Sequence, residues 1–291
     1  METAELLKKV RTIEIRTRGF VNQIFSGEYH SVFKGRGMAF SEVREYQFGD
    51  DIRSIDWNVS ARFNHPFVKV FEEERELTVI LLVDVSGSGD FGTVRQLKRE
   101  TATELCAVLA FSALKNNDKV GVIFFRDVIE KFIPPKKGRF HVLRILREVI
   151  DFTPGRKGTN IAEGLRFLTG AIKKRSIVFL ISDFIDESYE DALRIAGKKH
   201  DLVGIKLYDP REEEMPPVGL MRTVDAETGE TRWVDTDSAR VRNAYAKWWR
   251  STEETRRKIF RKSGLDEIRV RTDQPYVKPL MMFFRMRERR W

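Results

Sequence analysis

Residues 78–88 read Thr-Val-Ile-Leu-Leu-Val-Asp-Val-Ser-Gly-Ser, and this stretch decides the fold class. Its first six residues form an unbroken aliphatic and β-branched run, which is typical of a strand covered on both faces. The run ends in Asp84, Ser86 and Ser88, three oxygen side chains at alternate positions just beyond the strand. A buried strand followed at once by polar residues predicts an α/β sheet with a site at its carboxyl edge.

Similar apolar runs recur along the chain and alternate with helical patterns. Further buried strands are predicted at residues 119–125, 176–181, 201–207 and 267–270, and a short strand at 128–133 that Pro134 and Pro135 end. Helices are predicted at residues 94–115, 139–150, 160–173, 188–198, 238–263 and 275–289. We therefore predict a doubly wound, mostly parallel α/β sheet with helices on both faces.

Two parts of the chain depart from this alternation. Residues 1–76 are polar, aromatic and punctuated by glycine, which predicts a small β-rich domain ahead of the α/β domain of residues 77–291. Residues 209–237 predict an insertion in which two short strands flank Thr228 and Gly229 as a hairpin.

Composition excludes several classes of protein. The longest uninterrupted apolar run, residues 105–111, has seven residues, whereas a membrane-spanning helix needs about 20. Cys106 is the single cysteine, which excludes a disulfide framework and a cysteine-based zinc cluster. The first twenty residues show no apolar core typical of a secretory signal, so we expect a cytoplasmic protein.

The chain is basic, with 53 Lys and Arg against 44 Asp and Glu and a formal net charge of +9. Such a charge permits contact with nucleic acid or with an acidic protein surface. The basic helix predicted at 238–263 carries a stripe that we expect to face the sheet, formed by Val241, Tyr245, Trp248, Thr252 and Ile259. Nucleic-acid binding remains an alternative.

Two more segments bring oxygen side chains to the same edge of the predicted sheet. Asp183 follows the strand of residues 176–181, and Thr159 opens the helix of residues 160–173. We therefore expect five side chains to meet there: Asp84, Ser86, Ser88, Thr159 and Asp183. Hydroxyl and carboxylate oxygens without His or Cys suit a hard cation, Mg²⁺ first. Neutral hydroxyl ligands leave such an ion under-neutralised, which favours an incoming carboxylate from another molecule.

These motifs resemble a known arrangement. The set Asp84-x-Ser86-x-Ser88, Gly158-Thr159-Asn160 and Ser182-Asp183 resembles the metal-ion-dependent adhesion site of von Willebrand factor A domains. The upstream segment resembles the DUF58 family, through residues 35–40, Arg44-Glu45-Tyr46, Gly49-Asp50-Asp51, Arg53 to Trp57, and Ser60-Ala61-Arg62.

The resemblance implies a non-enzymatic role. It suggests a scaffold or adaptor that binds Mg²⁺ and works with a MoxR-type AAA+ ATPase in protein assembly or stress response. A partner's acidic side chain would complete the metal site.

Other interpretations of the same residues stay open. Asp84 is also a candidate nucleophile or ligand of an Mg²⁺-dependent hydrolase or phosphotransferase. The Asp84 to Ser88 segment alone is equally typical of a strand-end turn, and Thr159 of a helix N-cap. Charged residues between Gly49 and Arg62 suit either an interaction surface or internal ion pairs.

Overall fold

The computed structural model describes residues 12–13, 38–73, 76–152, 158–186, 188–225 and 227–290. Most of residues 1–37, the first half of the predicted N-terminal domain, lie outside the described residues. The chain forms two compact units, one between Phe33 and Leu77 and one that includes Thr78–Trp291. The smaller unit contains strand β1 (Met38–Glu45), helix α1 (Trp57–Phe63) and strand β2 (Phe67–Glu73), with the two strands paired antiparallel.

Charged residues of the smaller unit contact one another. The guanidinium of Arg44 donates to both carboxylate oxygens of Asp50, at 2.8 Å each. Asp56 caps α1 by accepting the backbone N–H of Asn58 at 3.0 Å, and it pairs with Lys69 at 3.4 Å. These contacts favour the interpretation of this cluster as internal ion pairing and helix capping.

Strands and helices alternate through the larger unit. In chain order they are β3 (Thr78–Asp84), α2 (Lys98–Lys115), β4 (Lys119–Phe125), β5 (Ile129–Lys136), α3 (Arg139–Asp151), α4 (Ile161–Ala171), β6 (Ile177–Ser182), α5 (Glu190–Lys199), β7 (Asp201–Tyr208), α6 (Pro210–Glu213), β8 (Leu220–Val224), β9 (Thr231–Asp235), α7 (Ala239–Ser263), β10 (Asp266–Arg271) and α8 (Val277–Glu288).

Six of these strands form one sheet in the order β10-β7-β6-β3-β4-β5, parallel except for β5 against β4. The predicted fold class is therefore confirmed. Strand β3 lies at the centre, and its residues Val79–Val83 are at most 2% exposed. Ile80 and Leu82 pack with α4 and α5 on one face, whereas alternation places Leu81 and Val83 on the opposite face with α2. Burial on both faces explains the continuous apolar runs.

One glycine sets the approach of α4 to the sheet. A Cβ at Gly164 would lie 2.8 Å from the ring of Phe125 on β4, so a larger residue would push the helix away. The loop that carries Thr159 leads directly into this helix, and its position is therefore coupled to the packing of α4.

The hairpin of β8 and β9 has the antiparallel pairing predicted for the insertion. Three local predictions were wrong. Strand β5 continues through Pro134 and Pro135 to Lys136 because it is an edge strand, where a missing N–H leaves no partner unpaired. Helix α2 begins at Lys98 rather than at residue 94.

The third error concerns the buried face of α7. Of the predicted stripe only Ile259 is buried, and Trp248 is 48% exposed. The face that packs inward is formed instead by Trp249, Glu253, Arg256, Ile259 and Phe260. It includes two charged residues because Glu253 bonds the buried Lys206 of β7 and Arg256. A hydrophobicity pattern does not detect such a face.

Candidate metal centre

Asp84 ends the central strand with both carboxylate oxygens held in place. The backbone N–H of Ser86 donates to Oδ1 at 2.9 Å, and the hydroxyl of Ser182 donates to Oδ2 at 2.7 Å. Ser182 is the last residue of the neighbouring strand β6, and its hydroxyl also accepts the N–H of Phe184 at 3.0 Å. Two adjacent strand ends therefore orient one carboxylate toward the edge of the sheet.

Two serines and a second carboxylate lie beside Asp84. The hydroxyls of Ser86 and Ser88 are 3.1 Å apart, at the start of the short 3₁₀ helix Gly87–Asp90. Asp183 follows β6 and is 6% exposed. Its Oδ1 accepts the N–H of Ile185 at 3.2 Å, and the nearby Ser88 helps to lower the pKa of this carboxylate. The structure thus brings four of the five predicted site residues together.

A cavity of about 20 Å³ lies among these groups, lined in part by Asp84, Ser88, Lys98, Ser182 and Asp183. Roughly 10–15 Å³ is enough for one water molecule. This space therefore matches one water or one small cation.

Thr159 is held at the same edge of the sheet, but it is not among the residues lining this cavity in the described part of the chain. Phe125 stands opposite Asp84 in the β3–β4 register, and its carbonyl accepts the N–H of Val85 at 2.9 Å. The next carbonyl, of Arg126, accepts the N–H of Asn160 at 2.9 Å. The hydroxyl of Thr159 donates to the carboxylate of Glu227, which belongs to the β8–β9 turn.

Sequence reasoning missed a buried lysine at this site. Lys98 is the first residue of α2 and is 3% exposed. Its Nζ donates to Oδ2 of Asp183 at 2.8 Å and to Oε1 of Glu212 at 2.6 Å. Its spacing could have indicated this burial, because Lys98 lies three residues before Thr101 and seven before Leu105, on the buried face of the helix. Glu212 comes from the insertion and carried no comparable signal.

The carboxylates respond differently to these surroundings. Burial, and then the nearby charge of Asp183, raises the pKa of Asp84 to about 6. Burial also raises the pKa of Asp183, but the ammonium of Lys98 outweighs it and holds that pKa below its ordinary value. Burial raises the pKa of Glu212 despite Lys98. For Lys98, the two carboxylates outweigh burial and hold its pKa above the ordinary value.

The charge balance of the cluster favours a divalent cation. Asp84, Asp183 and Glu212 contribute three negative charges when ionised and Lys98 one positive charge, a net charge of −2. Lys98 serves Asp183 and Glu212, and within the described residues no cation lies at ion-pair distance from Asp84. A partly buried carboxylate without a cation beside a water-sized cavity fits Mg²⁺, and so do the serine hydroxyls. The described chain holds no group of three or more His, Cys, Asp or Glu arranged for a metal, so a cation held here would need the serine hydroxyls as further ligands.

Another buried carboxylate, Asp209, supports the segments that carry Lys98 and Glu212. Asp209 follows β7, is fully buried, and accepts the N–H and hydroxyl of Thr93 at 2.9 and 2.6 Å. It also accepts the hydroxyl of Thr272 at 2.7 Å and the N–H of Arg211 at 2.9 Å. Burial raises the pKa of Asp209, but these hydrogen bonds outweigh it and lower that pKa overall. Asp209 thereby joins the loop before α2 to α6, the two segments that position Lys98 and Glu212.

The family model described as "Protein of unknown function DUF58" matches residues 42–255 of this chain. The chain belongs to the DUF58 family. A relative in Mycobacterium tuberculosis, the uncharacterized protein Rv1480, is 28% identical over 99% of this chain and 92% of its own length.

Two solved structures share the α/β fold of this DUF58 chain. An aerotolerance-related membrane protein of Bacteroides fragilis superposes with a TM-score of 0.51 at 16% identity, over 74% of this chain and 100% of the other. The conserved hypothetical protein BatB of Bacteroides thetaiotaomicron gives 0.50 at 17% identity, over 73% and 99%. At these identities the likeness concerns the fold alone. Within the described residues of the DUF58 chain, no helix combines the length and apolar character needed to cross a membrane.

Proposed function

We propose that this protein is a non-enzymatic interaction module that binds Mg²⁺ at the carboxyl edge of its sheet and docks an acidic side chain of a partner protein. Ser86, Ser88 and Thr159 would serve as hydroxyl ligands, with Asp84 and Asp183 acting directly or through water. The observation that carries the proposal is Asp84, a desolvated carboxylate that has no cation at ion-pair distance among the described residues and lies beside a cation-sized cavity.

Ligand chemistry explains why a partner carboxylate would be attracted. Three of the five predicted ligands are neutral hydroxyls, and Lys98 already neutralises part of the charge of Asp183. A divalent ion held this way keeps residual positive charge, and a carboxylate is the oxygen ligand that cancels it. The interaction would be metal-dependent and selective for acidic groups.

The hydrogen bonds of Asp84 support docking over catalysis. Both oxygens of Asp84 already accept hydrogen bonds, which leaves it poorly placed as a nucleophile.

The partner that the family resemblance implies is a MoxR-type AAA+ ATPase or one of its client proteins. The role that the same resemblance implies is in protein assembly or stress response.

Calorimetric titration with Mg²⁺ tests the metal site directly. We expect Asp84→Asn to weaken Mg²⁺ binding at least tenfold, because it removes a ligand charge while keeping the side-chain shape. Asp90→Asn is the matched control, since Asp90 lies in the 3₁₀ helix that carries Ser88 and pairs with Arg99 at the surface. Equal affinities of wild type and Asp84→Asn would refute the metal site.

Capture of partners from cell extract tests the docking role. Partners should bind the wild type in Mg²⁺ and be lost both in EDTA and with Asp84→Asn, while Asp90→Asn retains them. If metal binds but the same partners are recovered in all conditions, the site has another role. A screen with phosphate esters then tests the hydrolase alternative.

A further inference from the structure

The insertion brings a carboxylate of this chain to one of the predicted ligand hydroxyls. Thr159 Oγ1 donates to Oε1 of Glu227, a residue 68 positions further along the chain. Every other carboxylate of the site comes from a strand end or from α6, whereas Glu227 comes from the turn of the hairpin. This contact links the part of the fold that we expect to hold Mg²⁺ with the part that departs from the α/β alternation.

The turn holds Glu227 in a defined position. Asp225 Oδ1 accepts the backbone N–H of Glu227 at 2.8 Å and that of Thr228 at 3.0 Å. The N–H of Gly229, which has a φ of 76°, donates to the carbonyl of Asp225 at 2.8 Å. These bonds form a closed Asx-type turn, so the Glu227 side chain projects from a preorganised backbone.

The base of the hairpin is anchored as well. Thr236 is fully buried, and its hydroxyl accepts the N–H of Val218 at 2.9 Å and donates to the carbonyl of Gly219 at 2.7 Å. Arg242 of α7 donates to the Thr236 carbonyl at 2.7 Å. The hairpin is thus fastened at its base, and its turn is fastened to Thr159.

The Thr159 side is tied to the metal centre through the backbone. Backbone hydrogen bonds connect Val85 to Phe125 on β4 and Arg126 to Asn160. Gly158 has a φ of 118°, and a Cβ there would lie 3.4 Å from Cβ of Asp127, so the loop follows the end of β4 closely. A carboxylate that bonds the Thr159 hydroxyl therefore lies at the same sheet edge as Asp84.

We propose that Glu227 is a built-in carboxylate ligand of the Mg²⁺ site, which occupies the position that a partner's acidic side chain takes on docking. The inference rests on the proposed function and extends it, because it makes the hairpin a competitor for partner binding. Glu227 is exposed, so it reaches this position without the desolvation cost that Asp84 and Asp183 bear. For the same reason a partner carboxylate can replace it.

The test uses Mn²⁺ as the probe and water-proton relaxation as the readout, with acetate as a simple carboxylate. We expect Glu227→Gln to bind Mn²⁺ with about one more exchangeable water than the wild type. In that variant acetate should displace this water at concentrations at least tenfold lower than in the wild type. Glu230→Gln is the matched control, because Glu230 lies in the same turn and pairs with Arg232 at the surface. It should behave as the wild type does.

The outcomes separate this inference from the proposed function. If wild type and Glu227→Gln bind Mn²⁺ with the same hydration and the same response to acetate, Glu227 is no ligand and the inference is wrong, while the metal site stands. If the wild type does not bind Mn²⁺, or Asp84→Asn binds it equally well, the proposed function fails instead. If Glu230→Gln reproduces the effect of Glu227→Gln, the cause is the turn's charge, and the inference is overturned.

Discussion

Replacing Lys98 with methionine tests the electrostatic account of the candidate metal centre. Methionine keeps most of the length of the side chain and removes the ammonium that bonds Asp183 at 2.8 Å and Glu212 at 2.6 Å. The substitution leaves three carboxylates of the cluster without a cation, so their net charge changes from −2 to −3 when all are ionised.

The expected loss of stability follows from burial. Lys98 is 3% exposed and Asp183 6%, and removal of one member of a buried ion pair costs about 3–5 kcal/mol. The raised pKa of Glu212 allows this carboxyl to take up a proton and relieve part of the repulsion. We therefore expect a loss of about 3 kcal/mol, near the lower limit, and a fall in melting temperature of roughly 10 °C.

Urea unfolding at pH 7, with and without Mg²⁺, is the assay. Mg²⁺ should restore more stability to Lys98→Met than it adds to the wild type, because the more negative cluster binds the cation more tightly. The matched control is Arg99→Met, the next residue of α2, whose side chain is 61% exposed. We expect Arg99→Met to lose less than about 1 kcal/mol of stability.

Two results would refute this reasoning. A loss for Lys98→Met as small as that for Arg99→Met would show that the cluster does not depend on the ammonium. Equal stabilisation of variant and wild type by Mg²⁺ would show that any bound cation does not sense these carboxylates.

Two further predictions concern stability and pH. Burial, and then repulsion from Lys199 and Arg175, lowers the pKa of the buried His200 to about 4, so the stability that depends on its neutral form is present above about pH 6.5 and lost toward pH 4. Urea unfolding should show that the wild type loses about 3 kcal/mol of stability over this pH range. His65→Leu, which alters an exposed histidine, should lose as much, whereas His200→Leu should not. For Asp209→Asn we expect a loss of about 1–3 kcal/mol at pH 7 from unsatisfied buried donors. Because the pKa of Asp209 is lowered, the difference in stability between wild type and Asp209→Asn should shrink as pH falls below about 4. Thermal melts measure this, and a difference that stays constant would contradict an ionised Asp209 in the folded protein.

Much of the fold was predictable because buried strands and helices have apolar residues in recognisable local patterns. Strand β4 has the predicted bounds, and the ends of β3, β6 and β7 differ from prediction by one residue. Strand β5 was predicted too short, because the effect of a proline on a strand depends on whether another strand lies beside it. The sheet order decides that question, and no local pattern contains it.

The same distinction holds at the candidate site. Asp84, Ser86, Ser88 and Asp183 were predictable together, because parallel strands bring their carboxyl ends to one edge. Lys98 and Glu212 were not, since the burial of each depends on a partner far along the chain, and the two lie 114 positions apart.

The sequence by itself determined the α/β class, the central buried strand and the oxygen-rich edge, because each follows from patterns within a single element or from a rule of parallel sheets. Only the tertiary structure decided which polar groups pair: Lys98 with Asp183 and Glu212, Lys206 with Glu253, and Thr159 with Glu227. The physical reason is that the hydrophobic effect depends on each residue's own surface, whereas an ion pair or hydrogen bond depends on where a second, distant residue lies.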